Sequence, residues 1–155
     1  MRYFVVGDVH GHYFELLDAL DRAGFNPNNP THCLISCGDA IDRGHFSIAL
    51  MDYLISLPNA ILIRGNHEDM LEETLAEGKT IGKDENGTFA TIRQLAEDNM
   101  DYSAGGANNF AELCRLASQH PVWQKYRNRL VDYYETEDYI CVHGWIPYTV
   151  DTYWC

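Results

Sequence analysis

Residues 3–11 read Tyr-Phe-Val-Val-Gly-Asp-Val-His-Gly, and this stretch decides the fold. Four apolar residues followed by glycine predict a short buried strand that ends in a turn, because glycine adopts backbone angles that other residues resist. The turn carries Asp8 and His10 at the carboxyl end of the strand. Open α/β sheets bind ligands at that end, where a carboxylate and an imidazole two residues apart can converge on one metal ion. Taken alone, the same residues could equally cap the helix that follows.

The pattern of an apolar run followed by a polar turn recurs along the chain, and this repetition favours a site over a cap. The later runs are residues 33–37, 61–63 and 139–142, and the turns after them are residues 38–44, 64–68 and 143–145. Each of the four strand ends therefore delivers a residue that can bind a metal ion or transfer a proton.

Length and charge bound the class of protein. A chain of 155 residues suits a single domain, here residues 1–155, and buries about 68–70% of its unfolded surface. The net charge of −12 argues against nucleic acid or an anionic membrane as the main partner, because both require clustered Lys and Arg. No targeting signal and no apolar run of about 20 residues is visible, so we expect a cytoplasmic protein. Cys37 and Cys141 are expected to act as small apolar residues behind the turns, not as nucleophiles.

Hydrophobic periodicity predicts alternating strands and helices over the first half of the chain. Strands are predicted near residues 3–6, 31–37 and 61–63, and helices over 13–23, 45–56 and 69–76. This order is typical of a parallel sheet with right-handed crossovers. Helices over 88–98 and 107–119, with polar loops at 79–87 and 101–106, form an insert that covers the sheet or walls the substrate cleft. Trp123 and Tyr126 are expected to fill the core, and residues 130–142 to form a β-hairpin with a turn at 136–138.

The four turns contain the motifs Gly-Asp-Val-His-Gly, Gly-Asp-Ala-Ile-Asp-Arg-Gly, Gly-Asn-His-Glu and Val-His-Gly-Trp. In this order they resemble the motifs of calcineurin-like metallophosphoesterases, specifically the phosphoprotein phosphatase branch with its bacterial and phage serine/threonine phosphatases. The first motif alone recurs by chance about once in 20⁴ start sites, and the ordered set is far rarer. The resemblance implies an α/β fold, a layered α/β sandwich built on a βαβαβ unit, with an incomplete C-terminal sheet.

Carried over by position, the resemblance implies a site for two divalent transition metal ions. Asp8, His10 and Asp39 would hold one ion. Asp39 would also bridge to a second ion, which Asn66 and His143 help to bind. Oxygen ligands mixed with some nitrogen favour Mn²⁺, Fe²⁺ or Zn²⁺ over Ca²⁺, and manganese is our first choice.

The resemblance also implies three catalytic residues beside the metal ions. His67 resembles the general acid that protonates the leaving alkoxide, and Asp42 the carboxylate that orients it. Arg43 matches a phosphate-binding arginine, although a surface ion pair between Asp42 and Arg43 is the simpler alternative. Glu68 and Arg64 are read as framework residues. The implied reaction is attack by a hydroxide that bridges the metal ions, with no covalent enzyme intermediate.

The function predicted in this way is metal-dependent phosphoester hydrolysis, most simply of a phosphorylated protein by a serine/threonine-type phosphatase, or of a small phosphoester. A dinucleoside polyphosphate hydrolase of the same fold is one alternative. A catalytically impaired fragment that acts as a binding module is another. Retention of His67, Asp42 and Arg43 favours an enzyme, because a silent scaffold needs no proton donor.

The match to the family is incomplete toward the C-terminus. The family has a further histidine at the second metal and a further arginine for phosphate, but no histidine follows His143 and no arginine follows Arg129. The chain also ends before the second sheet that such folds require. We expect either a truncated fragment or a natural short form, with weak metal binding at the second position and poor turnover. His12, His45 or His120 could replace the missing ligand.

Overall fold

The structure is a computed structural model that describes residues 1–79, 86–100, 107 and 109–144. Its helices are α1 (Tyr13–Arg22), α2 (Ser47–Ser56), α3 (Asn66–Glu77), α4 (Thr88–Asp98), α5 (Phe110–Ser118) and α6 (Pro121–Arg127). Its strands are β1 (Arg2–Val6), β2 (His32–Cys37), β3 (Ala60–Ile63), β4 (Leu130–Val131), β5 (Tyr133–Glu135) and β6 (Ile140–Val142). No helix among these is long and apolar enough to cross a membrane.

The main sheet is parallel throughout, with the strand order β1-β2-β3-β4. Helices α1 and α2 connect its first three strands, as parallel pairing requires. The carboxyl ends of these strands therefore lie at one edge of the sheet. The predicted α/β class, built on a βαβαβ unit, is confirmed.

The two faces of the sheet are covered differently. Leu34 points into a large core that the strands share with all six described helices, so the helical insert belongs to the same core. Cys33 and Ile35, on the opposite face, form a smaller cluster with Ile63 and with Tyr134 of the β5–β6 hairpin. Because successive side chains of β2 point to opposite faces of the sheet, one face packs on the helices and the other on the β5–β6 hairpin. The hairpin contacts β2 through β6 and β3 through β5.

On that second face, the edge strand β1 is less covered than its neighbour β2. Tyr3 is 38% exposed and Val5 is 54% exposed, whereas Ile35 on β2 is fully buried. The side chain of Phe4, which points to the helical layer, is buried.

The helical insert packs on other helices more than on strands. Helix α4 contacts α2, α3 and α5, and α6 contacts α2. Trp123 and Tyr126 are fully buried in this layer, as predicted. The insert shares the core of the helical layer with the strands, and α4 also borders the turn that carries Asp42. The predicted loops at 79–87 and 101–106 and the segment after residue 144 lie wholly or largely outside the described residues.

Helices α3 and α6 differ from the prediction. Helix α3 begins at Asn66 and not at residue 69, because Glu68 bonds back to the backbone N–H of Gly65 and closes a first turn there. Helix α6 was not predicted, since seven residues are too few to show a period; it begins at Pro121, next to the capping side chain of His120.

The predicted hairpin strand over residues 130–135 is divided in two. Val131 pairs with Ile63 in the main sheet, and its carbonyl accepts from the N–H of Arg64 (2.8 Å). The strand ends with a bend at Asp132, and the next strand, β5, pairs with β6 instead of with β3. One apolar run therefore serves both layers.

The side chain of Arg129 joins α2 to β3. It donates to the carbonyls of Ile55 (2.7 Å) and Ala60 (2.8 Å), and both of its terminal nitrogens lie 3.4 Å from the carbonyl of Leu57. We expect Arg129→Met to lower the free energy of unfolding by about 2–4 kcal/mol, because it leaves these partly buried carbonyls without donors. Urea denaturation measures the change.

The matched control is Arg93→Met on the surface of α4, where the guanidinium pairs with Glu97 of the next turn (2.8 Å). An exposed pair of this kind contributes about 0.5 kcal/mol or less. Equal losses in the two variants would contradict the linking role of Arg129.

Candidate metal centre

The site lies where the carboxyl ends of β1, β2 and β3 meet the last strand of the hairpin. The turns after β1 and β2 are bonded through their backbones. The N–H of Asp8 donates to the carbonyl of Gly38 (3.2 Å), and the N–H of His10 donates to that of Asp39 (2.9 Å). These two hydrogen bonds join the turns beyond the ends of β1 and β2 and fix the two motifs relative to each other.

Backbone strain is concentrated in these turns. A left-handed backbone at a residue other than glycine costs on the order of 1–3 kcal/mol, and such residues cluster at functional sites. In the described part of the chain, the residues with this conformation are Asp8 (φ 52°), His10 (φ 48°), Asp39 (φ 53°), Asp42 (φ 70°) and Arg43 (φ 62°). Every one of them is a site residue predicted from the sequence.

Asp39 lies at the centre of the site and is 3% exposed. Its Oδ2 is 3.8 Å from Nε2 of both His10 and His67, and its Oδ1 is 3.3 Å from Nε2 of His143. Two groups of potential ligand atoms, each within 4.8 Å of one another, both include Asp39: one with His10 and His67, the other with Asp8 and His143. This central position is the one that a bridging carboxylate requires.

The tautomer of His10 leaves a lone pair for a metal ion. Its Nδ1 lies 2.8 Å from the carbonyl oxygen of Ile41, and because a carbonyl only accepts, Nδ1 carries the proton. The lone pair is then on Nε2, which is buried and has no hydrogen-bond partner in the described structure. A hydrogen bond from one ring nitrogen to a carbonyl is the usual support of a metal-binding histidine.

His143 shows the same arrangement on the other side of Asp39. Its Nδ1 donates to the carbonyl of Cys37 (2.7 Å), so its Nε2 presents a lone pair. That lone pair faces Oδ1 of Asn66 at 2.9 Å and Oδ1 of Asp39 at 3.3 Å. Three acceptors this close repel one another, and a cation held between them removes the repulsion. The residues present therefore fit a metal ion.

The structure brings all five predicted metal ligands to one site, with a different grouping from the one inferred from the sequence. Asp8 lies with Asp39 and His143, whereas the sequence placed it with His10 and Asp39. Asp8 and Asn66 are exposed, so the site is open to solvent. The histidines that could have replaced the missing family ligand, His12, His45 and His120, are in neither of these ligand groups of the described residues. The Nε2 atom of His120 lies instead 2.8 Å from a carboxylate oxygen of Asp98.

The predicted acid and its partner form a buried pair. Nδ1 of His67 lies 2.8 Å from Oδ2 of Asp42, and both side chains are almost completely excluded from solvent. Arg43 is exposed, and its Nη2 lies 3.3 Å from Nε2 of His67. The simpler interpretation of Asp42 and Arg43 as a surface ion pair is wrong, because Asp42 is fully buried and faces the imidazole.

Glu68 ties the turns of β2 and β3 together from beneath the site. Its fully buried carboxylate accepts from the backbone N–H groups of Asp39 (2.9 Å), Ala40 (3.0 Å) and Gly65 (2.9 Å) and from the hydroxyl of Tyr126 (3.2 Å). Burial raises the pKa of Glu68, and the backbone N–H donors oppose that shift. The pKa of Tyr126 is raised well above its ordinary value by burial and by the neighbouring carboxylate. The sequence indicated a framework role for Glu68 but gave no sign of its bond to Tyr126.

Thiol chemistry does not compete at this site. Burial, reinforced by the neighbouring Cys141, raises the pKa of the Cys37 thiol to about 11. Cys37 is therefore protonated near neutral pH and a poor nucleophile, as expected from the sequence. Both cysteines are only partly buried.

We expect Glu68→Gln to lower the free energy of unfolding by about 2–4 kcal/mol, because an amide nitrogen cannot accept from the donors that now surround one carboxylate oxygen. Urea denaturation tests this. Glu73→Gln, at an exposed position of the same helix, is the matched control and should change stability by less than about 0.5 kcal/mol. A similar small change in both variants would show that the network around Glu68 does not hold the turns.

With this geometry established, comparison with known proteins identifies the family. The sequence model of the calcineurin-like phosphoesterases matches residues 1–154, and the chain belongs to this family.

Its relatives carry two kinds of name. Serine/threonine-protein phosphatase T of Schizosaccharomyces pombe is 38% identical over 92 residues, which are 55% of this chain and 19% of the relative. A symmetrical bis(5'-nucleosyl)-tetraphosphatase of Glaesserella parasuis is 32% identical over 125 residues, 80% of this chain and 42% of the relative. Among solved structures, a serine/threonine phosphatase of Saccharomyces cerevisiae is 35% identical, with a TM-score of 0.37, over 43% of this chain and 22% of that one. The chain thus spans less than half the length of these relatives.

Proposed function

We propose that this chain carries the metal-binding and acid–base residues of a metal-dependent phosphoester hydrolase of the serine/threonine phosphatase type. The observation that carries the proposal is the position of Asp39. It lies buried among the unprotonated ring nitrogens of His10 and His143, next to an imidazole that is bonded to a second buried carboxylate. This combination supplies metal ligands and a proton donor within one site.

In the proposed site, Asp8, His10 and Asp39 hold one divalent ion, as the family resemblance implies, and Asp39, Asn66 and His143 hold a second. Asp8 shares its ligand group in the structure with Asp39 and His143, so the proposal requires its carboxylate to serve the His10 side of Asp39. Carboxylate, amide and imidazole ligands suit transition ions, and we propose manganese, with iron or zinc as alternatives. When bound, such ions acidify water and neutralise the charge on phosphate oxygens.

The remaining steps belong to the side chains of the chain itself. The Nδ1–H of His67 donates a hydrogen bond to Asp42, so Nε2, which accepts from Nη2 of Arg43 at 3.3 Å, is the ring nitrogen that would carry the proton to a leaving alkoxide. Asp42 holds the ring in this orientation. Arg43 presents an exposed guanidinium beside Nε2, and its fork of donors fits the oxygens of a phosphate group. Phosphate bound there would place its ester oxygen close to the acid.

The metal prediction can be measured without turnover. We expect metal-stripped protein to bind Mn²⁺ with one tight and one weaker equivalent in calorimetric titration, and hydrolysis of p-nitrophenyl phosphate to depend on added metal. Asp39→Asn should weaken both binding events and lower turnover by about 100-fold or more, because both ligand groups share this carboxylate. Asp21→Asn, at an exposed position on α1, should change neither. Two tight equivalents with robust turnover would contradict an impaired second position.

The acid role of His67 gives a separate prediction. We expect His67→Asn to lower turnover of a phosphoserine peptide by about 10²–10⁴-fold while metal content stays unchanged, because proton transfer is lost and the proposed ligands remain. Metal analysis beside steady-state kinetics measures both quantities. Parallel loss of metal and turnover would instead make His67 a ligand, as its grouping with His10 and Asp39 allows.

The alignment to the Glaesserella parasuis tetraphosphatase covers more of this chain than that to phosphatase T, and this favours dinucleoside polyphosphates as a second candidate substrate. Product analysis on diadenosine tetraphosphate and on a phosphoserine peptide separates the two. A phosphoserine preference supports the protein phosphatase type, and symmetric cleavage of the dinucleotide supports the other. If neither substrate is hydrolysed at saturating Mn²⁺, the binding-module alternative is favoured.

We further propose that residues 1–155 act as one domain, since the main core joins β1 to α6, and that the protein works in the cytoplasm. The cysteines in the described part of the chain are all free thiols, which suits a reducing compartment. Phosphorylated proteins or small phosphoesters are the proposed partners; nucleic acid and membranes are not among them.

A further inference from the structure

Helix α4, which belongs to the insert, reaches the acid–base pair with its first residue. The hydroxyl of Thr88 donates to Oδ2 of Asp42 at 2.7 Å, and this is the same oxygen that accepts from Nδ1 of His67 at 2.8 Å. The other carboxylate oxygen, Oδ1, is buried and has no hydrogen-bond partner in the described structure. In the part of the chain described, Thr88 is therefore the second of two donors that fix the direction of this carboxylate.

The hydroxyl of Thr88 bonds to a distant side chain, which is unusual for a threonine in the first turn of a helix. Threonine hydroxyls near a helix N-terminus ordinarily satisfy neighbouring backbone groups of the same helix. Thr88 is buried, and its hydroxyl is directed out of α4 across 46 positions of sequence to Asp42. The contact orients a side chain of the site and does not cap the helix.

The same end of α4 supports the strained turn that carries Asp42 and Arg43. The N–H of Asp42 donates to Oγ1 of Thr91, one helical turn after Thr88, at 3.1 Å. The backbone of Gly87 packs so tightly on this turn that a Cβ there would lie 2.6 Å from the backbone nitrogen of Arg43. Both Asp42 and Arg43 have left-handed backbones, which persist only where neighbours hold them.

We propose that Thr88 is a positioning residue for the acid step, acting through Asp42 on the orientation of His67. Without its hydroxyl, Asp42 is free to turn its unpartnered oxygen toward the imidazole, and Nε2 of His67 loses its fixed direction toward the leaving oxygen. The proposal rests on the proposed function of His67 as proton donor. It gives the insert a role in orienting the acid, through a residue that lies outside the four motifs at the strand ends.

The test compares Thr88→Val, which keeps the shape and removes the hydroxyl, with Thr88→Ser, which keeps the hydroxyl. Two substrates separate positioning from folding. A phosphoserine peptide releases an alkoxide that needs a proton, whereas p-nitrophenyl phosphate releases a stabilised phenolate that needs little help. We expect Thr88→Val to lower kcat on the peptide about 10-fold or more, to change kcat on p-nitrophenyl phosphate by less than about 3-fold, and to leave both KM values unchanged.

Thr88→Ser should restore turnover of the peptide to near the wild-type value. Thr74→Val, which removes the hydroxyl of another buried threonine on α3, serves as the control and should affect both substrates equally little. Equal loss on both substrates in Thr88→Val, or no loss on either, would overturn the proposal.

A spectroscopic measurement on metal-free protein tests the same contact without activity. The Nδ1 proton of His67, assigned by its absence in His67→Asn, should give a downfield proton resonance in the wild type and in Thr88→Ser. It should broaden or shift in Thr88→Val. An unchanged resonance would overturn the proposal. Failure of the wild type to hydrolyse either substrate would instead reject the proposed function, and the resonance would still decide the role of Thr88.

Discussion

The structure depends on holding three buried carboxylates, Asp39, Asp42 and Glu68, close together. An uncompensated buried charge costs several kcal/mol, so each of them needs donors or a counter-charge. Glu68 has four donors, and Asp42 has an imidazole and a hydroxyl on one oxygen. Asp39 accepts a hydrogen bond from the N–H of His67, but elsewhere it meets ring nitrogens at 3.3–3.8 Å. It is the least compensated of the three, and a cation beside it would complete the balance.

The turns around Asp39 interlock because their glycines allow the backbones to touch. A Cβ on Gly44 would lie 2.3 Å from the carbonyl oxygen of His10, and a Cβ on Gly65 would lie 2.3 Å from a carboxylate oxygen of Asp39. Left-handed residues on both sides are thus held by direct backbone contact and by hydrogen bonds such as that from Gly44 N–H to the His10 carbonyl (2.9 Å). The strain at the site is maintained by packing that leaves no room for relaxation.

The part of this arrangement that the sequence predicts is the part that is local in sequence. Each strand end, such as Asp8 after β1, follows from an apolar run and a glycine turn, and parallel pairing then brings the ends together. The contacts of Thr88 and Tyr126 cross 46 and 58 positions and leave no periodic signal. The division of residues 130–135 between two sheets was missed for a related reason, since pairing partners and not propensity decide where a strand ends.

The membership of Asp39 in both ligand groups has a thermodynamic consequence for the proposed site. Occupancy of one group changes the position and charge of a carboxylate that the other group uses, so the two affinities are linked and the coupling is reciprocal. A substitution at Asp39 therefore changes the coupling between the two ion positions as well as the affinity of each position for its ion. Selectivity among cations at one position cannot be tuned independently of the other.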